Sequence, residues 1–482
     1  MNNIKIIFRD TGTVLIAVGI ITIFASFVPL IFKEFFAIKW IGLTSLTYLI
    51  VGGFFRLIGK SEGETRIRHA MIIAAISWLI ISIISSIPFH YITKLDFLSS
   101  FFESIAGWTG TGLTMISKPS QLSHTIQFYR SFIQWIGGVG VIVLTLVVLA
   151  RPGTGSFTLY RSEAREERIK PSVISTVKTI WWIFLLYTII GIIILLIAGM
   201  SPWEAVNHCM TCLATGGFSI TDNSMAGYST IIQIILVILM AAGAIAFATH
   251  YELLRGKIKR FFKDIQTQAL IFLIFIGAFM LAYINFSSGI YKSFGTSFKY
   301  SAFQFISALT CTGFSTTNLS AWTGEAKFII SIAMIIGGAA GSTAGGIKLF
   351  RLILLTKGVG WKIRRIFLPP KSTFGYKLGG KVLGREEAVE EISEAAIVSF
   401  LWVLLLVIGT IVVLHFTNEN LENAFFEVCS AQGNVGLSVG ITGIDANPIV
   451  KFMLILNMWV GRLEIIPILV LIRGIVKGSK MF

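Results

Sequence analysis

The chain has 482 residues, 55% of them hydrophobic and 13% charged, with a mean hydropathy of +0.81. Its apolar runs repeatedly exceed the ~18 residues that mark a membrane span, which excludes a soluble globular domain and leaves an all-α polytopic membrane protein. The 40 Lys and Arg against 24 Asp and Glu, a net charge of +16, would point to nucleic acid in a soluble chain; here the charge has a topological reading and no nucleic-acid partner is expected.

In chain order, crossings are predicted at residues 11–31, 38–57, 69–91, 128–150, 175–198, 230–254, 266–286, 326–355 with an internal break, 395–416 and 450–471. The first is too long for a signal-peptide core and lacks a cleavage site, so it is read as a permanent anchor. With the N- and C-termini cytoplasmic, 30 of the 40 Lys and Arg fall on the cytoplasmic side, in the two tails and at 56–68, 151–178, 255–263 and 348–385. Eight lie outside, and Arg130 and Arg462 sit at the edge of, or within, apolar spans. This is the positive-inside bias of a plasma (cell inner) membrane protein. Four cysteines, Cys209, Cys212, Cys311 and Cys429, precede Gly-rich turns and do not make a disulfide framework.

One pattern repeats. AGWTGTGLT at 106–114, CLATGGFSIT at 212–221, LTCTGFSTT at 309–317 and SAQGNVGLS at 430–438 align on a glycine followed by an apolar residue and Ser or Thr, giving Gly112, Gly217, Gly313 and Gly436. Each follows a short helical segment (97–108, 203–213, 297–310, 421–432) and has one full span on either side. The expected organisation is a two-span preface (1–62), then span–loop–span repeats at 63–160, 161–262, 263–385 and 386–482. One Gly-rich turn by itself is equally well a close helix crossing; four in matching positions are read as a re-entrant pore loop repeated about one axis. Irregular backbone at membrane depth is tolerated where it is buried in protein or lines a water-filled cavity. Glycine lets carbonyls turn toward such a lumen, where rings of them replace a cation's hydration shell. The partially negative C-terminal ends of the short helices favour the same charge.

Three further features bear on function. Glu34, Asp96, Glu103, Glu204, Asp222, Glu325, Glu419, Glu422, Glu427 and Asp445 fall in segments placed outside; they either raise local cation concentration or simply solubilise loops, and none is assigned as a site. Residues 337–345 hold four glycines and three alanines, so nothing holds that stretch helical and it can move; a tight helix crossing is the alternative. Arg462 stands in the last span, where a charge faces a cavity or a partner, and Glu464, two residues on, does not face it on a helix.

The four loops, the two extra N-terminal spans and above all GGAAGSTAGGIKLFR at 337–351 resemble the Trk/Ktr/HKT superfamily of potassium transporters, in its Trk-type membrane subunit, over essentially the whole chain. The resemblance implies a tetrameric potassium channel folded from one chain, with a filter at Thr111, Gly112, Gly216, Gly217, Thr312, Gly313, Val435 and Gly436. Gly112, where sodium-preferring plant relatives have Ser, favours potassium. It implies an intramembrane gate loop at Gly337, Gly338, Ala339, Ala340, Gly341, Ser342, Thr343, Ala344, Gly345 and Gly346, with Lys348 just beyond. Arg462 corresponds to the family's pore arginine, as an electrostatic barrier or a tether for that loop; a bridge to another helix is the plainer alternative. It also implies a homodimer on a cytosolic TrkA-like ring, for which 348–385 and 151–178 are candidate docking segments. Nucleotide is expected only on that partner, and K+ at the filter carbonyls only, as transported ion.

Other readings are weaker. GYKLGGK at 375–381 has phosphate-loop spacing, but Val382 stands where Ser or Thr is required. His208, Cys209 and Cys212 lack a fourth metal ligand and are read as packing. A sodium-coupled Ktr-type transporter would lack the N-terminal pair of spans. An intramembrane enzyme would need a catalytic pair that the spans do not offer, and His250 and Glu252 are placed near a solvated helix end.

Overall fold

The computed structural model describes residues 2–140, 173–369, 375–379 and 381–477. Its elements are helical apart from one short hairpin. Helix α1 (Asn2–Ile23) continues through a tight turn into Phe27–Ile31, and α2 (Phe35–Ile58) returns beside it. This pair leans on α3 (Ile67–Thr93), where Tyr48 Oη donates to the Ile81 carbonyl at 2.6 Å.

From α3 onward a three-helix unit recurs. Its first copy is α3, the short α4 (Phe97–Thr109) and α5 (His124–Gly138). The second is α6 (Val173–Ile197), α7 (Pro202–Leu213) and α8 (Thr230–Ala244), followed by α9 (Phe247–Leu254). The third is α10 (Ile265–Ser287), α11 (Phe294–Leu309) and α12 (Gly324–Ile336), followed by α13 (Leu349–Ile366). The fourth is α14 (Arg385–Phe416), α15 (Leu421–Gln432) and α16 (Pro448–Leu463), followed by α17 (Ile466–Lys477).

The short helix and the second long helix of every unit start on a side-chain cap. Asp96, Ser201, Ser293 and Asn420 accept a backbone N–H at the head of α4, α7, α11 and α15. Ser123, Ser229, Thr323 and Asn447 do so for α5, α8, α12 and α16. Such caps satisfy first-turn donors that have no partner inside the helix. The outer helices α2, α6, α10 and α14 show large apolar side chains to the surroundings, as lipid-facing helices do, while the short helices are the buried centre.

The second helix comes close enough to its short helix to touch backbone. A Cβ on Gly137 would stand 2.2 Å from the Trp108 carbonyl oxygen, on Gly243 2.7 Å from that of Leu213, and on Gly461 2.0 Å from that of Gln432. Each of those carbonyls lies four residues before the repeat's aligned glycine. Gly337 is the matching position of the third unit, but there φ is +72° and the chain leaves the helix, so a Cβ would meet the Gly345 oxygen at 2.1 Å.

Two predicted spans are corrected. Residues 230–254 do not form one continuous helix: α8 and α9 meet at 108°, and α16 and α17 meet at 109°. At the first bend the carbonyls of Ala242, Gly243 and Ala244, which would serve the next turn of a straight helix, instead accept from His250 Nε2 (2.8 Å), Thr343 N–H (3.2 Å) and Ala339 N–H (2.9 Å). Tertiary partners thus replace the helical ladder. His250, expected to be solvated, is buried for this reason. The 375–381 stretch forms part of a hairpin, β1 (Tyr376–Leu378) with β2 (Lys381–Leu383), not a strand–loop–helix cradle. The span placed at 128–150 and the basic segment 151–178 extend outside the described residues.

Candidate functional site

The four glycine limbs close into a ring. A Cβ on Gly112 would lie 2.2 Å from the Gly216 oxygen, on Gly217 2.0 Å from that of Thr312, on Gly313 2.0 Å from that of Val435, and on Gly436 2.2 Å from that of Thr111. Each glycine therefore abuts the carbonyl of the residue before the glycine in the following repeat, and the fourth abuts the first. All eight residues predicted for the filter are brought together.

The local cause is a shared turn. Two residues before each glycine, Gly110, Thr215, Cys311 and Asn434 take positive φ, as do Gly112, Gly217, Gly313 and Gly436. The intervening amides of Thr111, Gly216, Thr312 and Val435 donate back to the carbonyls of Ala106, Thr211, Ser307 and Ser430 at 2.8–2.9 Å. The left-handed residue stops the short helix, and the back-bond fixes the limb on its C-terminal end. Leu113, Phe218, Phe314 and Leu437, the apolar residue of the repeated motif, are buried and anchor the limb from behind.

Side chains missed in the sequence brace this ring. Gln134 donates Nε2 to the Gly216 carbonyl at 2.7 Å and accepts from the Phe218 N–H at 3.0 Å. Asn434 Nδ2 reaches Thr111 Oγ1 at 2.9 Å, tying the last repeat to the first. Gln134, an amide within the span predicted at 128–150, was the available signal; Asn434, in the turn itself, offered none. Glu103 and Glu427 are not loop charges: both are fully buried, and Glu103 accepts from Arg130 Nε at 2.8 Å. Lys327 and Lys451, counted as outside, are buried too, and their ammonium groups reach Asn423 Oδ1 and the Ile444 carbonyl.

On one side of the ring lies a basin of about 740 Å³ whose walls include the four ring glycines with Asp222, Glu419 and Asp445. The non-helical stretch 337–348 lies against the inner ends of the short helices. Thr343 Oγ1 is 2.9 Å from the Leu213 carbonyl, and the Cβ position of Gly345 is 2.1 Å from the Gly433 oxygen. Ala340 N–H donates to Gln266 Oε1 at 2.8 Å, and the Phe247 N–H to the Gly341 carbonyl at 3.1 Å. Lys348 Nζ folds back onto the Ala344 carbonyl.

Arg462 reaches three carbonyls on two elements: Thr343 in this stretch at 3.0 Å, and Gly137 and Gly138 at the end of α5 at 2.6 and 2.9 Å. It thus joins the first and fourth repeats to the stretch from the third. Glu464 takes φ +59° just past the end of α16 and pairs with Arg351 of α13.

Fold and site define an integral, multi-pass membrane protein in which four like units surround one axis. Comparison agrees with that class. Residues 43–481 match the family described as TrkH, cation transport protein, and the chain belongs to that family. An uncharacterised cation transporter of Methanocaldococcus jannaschii is 36% identical over 477 residues, covering 97% of this chain and 95% of that protein. The Trk system potassium uptake protein TrkH of Escherichia coli K12 is 31% identical over 424 residues, 86% of each chain. The crystal structure of the potassium transporter TrkH from Vibrio parahaemolyticus superposes with a TM-score of 0.84 at 27% identity, covering 99% of each chain.

Proposed function

We propose that this chain carries potassium across the cell membrane through the axis of the four repeats. The observation that carries the reading is the closed ring, in which four glycines each pack on the next repeat's carbonyl. Carbonyls of Thr111, Gly112, Gly216, Gly217, Thr312, Gly313, Val435 and Gly436 would take the place of the ion's water shell, and four short helices would direct their negative ends at it. The potassium uptake named for the bacterial relatives supports the choice of ion.

Residues 337–348 act in this reading as the gate, since they lie across the inner ends of the short helices and Arg462 holds them there. A cytosolic nucleotide-binding ring of the TrkA kind and a second copy of the chain complete the assembly. The exposed basic end of α13, Lys362, Arg364 and Arg365, offers such a ring a docking surface; Arg364→Glu with Arg365→Glu should weaken its binding.

The test is uptake of radiolabelled rubidium and sodium into proteoliposomes of the purified protein under an inside-negative potential. Rubidium entry competed by potassium is expected. If neither ion enters, deletion of residues 339–345 decides: entry restored means a closed gate, and none in a well-folded deletion rejects the reading.

A further inference from the structure

Nine positions before the ring glycines stand Glu103, His208, Gln304 and Glu427, and all four side chains are buried. Chemically they differ, yet each bonds the hydroxyl residue two positions past its glycine. Thr114 Oγ1 donates to both Glu103 oxygens at 2.9 Å, and Ser438 Oγ donates to Glu427 at 2.7 Å. His208 Nε2 lies 3.0 Å from Ser219 Oγ, and Gln304 Nε2 donates to Ser315 Oγ at 3.2 Å.

The contact extends one residue further in every repeat. Met115 N–H donates to Glu103 at 2.8 Å, Ile220 N–H to His208 Nε2 at 3.3 Å, and Val439 N–H to Glu427 at 3.0 Å, while Gln304 Nε2 reaches Thr316 Oγ1 at 3.2 Å. This accounts for the Ser or Thr of the repeated motif, which has no part in the ring itself. Arg130, held by Glu103, also donates Nη1 to the Ser219 carbonyl at 2.9 Å, so the first repeat's brace steadies the second repeat's limb.

We infer that these four are positioning residues for ion selection: struts from the rigid short helices that set where each limb leaves the ring. The inference rests on the potassium reading above. The limbs belong to no helix or sheet, so buried amides there depend on other acceptors, which Glu103, His208 and Glu427 supply. A strut built on a helix holds such a limb more tightly than its own loop can. Discrimination between two alkali cations by carbonyls depends on how many carbonyls face the ion and how they are held, and these side chains are the fixed points behind the limbs that carry them.

The experiment compares rubidium with sodium entry for His208→Leu and His208→Gln in proteoliposomes. Leucine removes the acceptor of the Ile220 N–H, and the rubidium-to-sodium ratio is expected to fall about tenfold, in line with stranding a buried donor. Glutamine, which does this work as Gln304 in the third repeat, is expected to lie closer to wild type than to the leucine variant. Equal loss of both ions in a monodisperse His208→Leu, with the ratio kept, would show a merely structural residue and overturn the inference, as would a glutamine variant no better than leucine. If His208→Leu does not fold, Gln304→Met read the same way decides. A wild type without rubidium preference removes the potassium reading itself, an outcome distinct from selective wild type with unaffected variants.

Discussion

Alanine at Gly313 isolates the ring from everything else in the limb. Its Cβ would stand 2.0 Å from the Val435 oxygen and 2.9 Å from the Val435 carbonyl carbon, where ordinary contact begins at 3.4 Å. Relief requires the Val435 carbonyl to retreat by more than about 1 Å, because the alternative is moving a buried short helix. The φ of +83° adds about 1–2 kcal/mol for a side chain in left-handed backbone. The disturbance therefore lands in the fourth repeat, not in the third where the substitution is made. With one carbonyl of the ring displaced, the rubidium-to-sodium entry ratio should fall roughly tenfold, the equivalent of ~1.4 kcal/mol in relative ion affinity. Gly440→Ala is the control: φ is +104°, yet nothing lies within 4 Å of its Cβ position, so it carries backbone strain without touching the ring. A folded Gly313→Ala with unchanged ratio, or a Gly440→Ala with the same loss, would refute the steric argument.

Gly112→Ser presses on the Gly216 oxygen at 2.2 Å and should admit more sodium; unchanged sodium entry would take the first limb out of the ion path. Arg462→Met removes the donor shared by Thr343, Gly137 and Gly138 and should raise rubidium entry without any cytosolic partner, roughly tenfold if the tether is worth one charge-assisted hydrogen bond. Unaltered flux would leave Arg462 as a plain bridge. Glu34, on the turn between α1 and α2, accepts from the amides of His124 and Thr125 at 2.8 and 2.9 Å. Its burial opposes ionisation, but the bonds from Thr125 and His124 outweigh that and hold its carboxyl below the ordinary 4.5. The native value being the lower one, the stability it lends is whole above pH 4.5 and is lost as pH falls through the native value. A thermal-unfolding series from about pH 6 to about pH 3 should show this step, and Glu34→Gln should flatten it.

The repeat was legible in sequence because glycine at a left-handed position next to another backbone has few substitutes, so Gly112, Gly217, Gly313 and Gly436 mark themselves. The bends were not. Past Gly243, Ala244-Ile245-Ala246 contains no helix breaker, and the chain turns there because Ala339 and Thr343, about a hundred residues later, take the carbonyls of Ala244 and Gly243. No local pattern carries that information. The buried state of Glu103 and Glu427 was hidden for a related reason: a carboxylate whose partners are an arginine from another helix, or serine and threonine donors beyond a turn, looks in sequence like any loop charge. The constant offset of nine residues from the ring glycine shows itself only once the ring is seen, since Glu, His, Gln and Glu share no pattern there. The third repeat's departure was visible in composition, as a run of small residues, but its bonds to the second and fourth repeats were not.

The hydrogen bond between Asn434 and Thr111 spans 323 residues of chain, and the neighbouring contact of Gly436 on Thr111 closes the ring. During synthesis the first repeat enters the bilayer with its limb facing a gap that only the last repeat fills. Without Asn434 and Gly436, Thr111 lacks both of these contacts. A chain cut before residue 434 therefore keeps only two of the four limb-to-limb contacts, Gly112 on Gly216 and Gly217 on Thr312, and cannot close the ring.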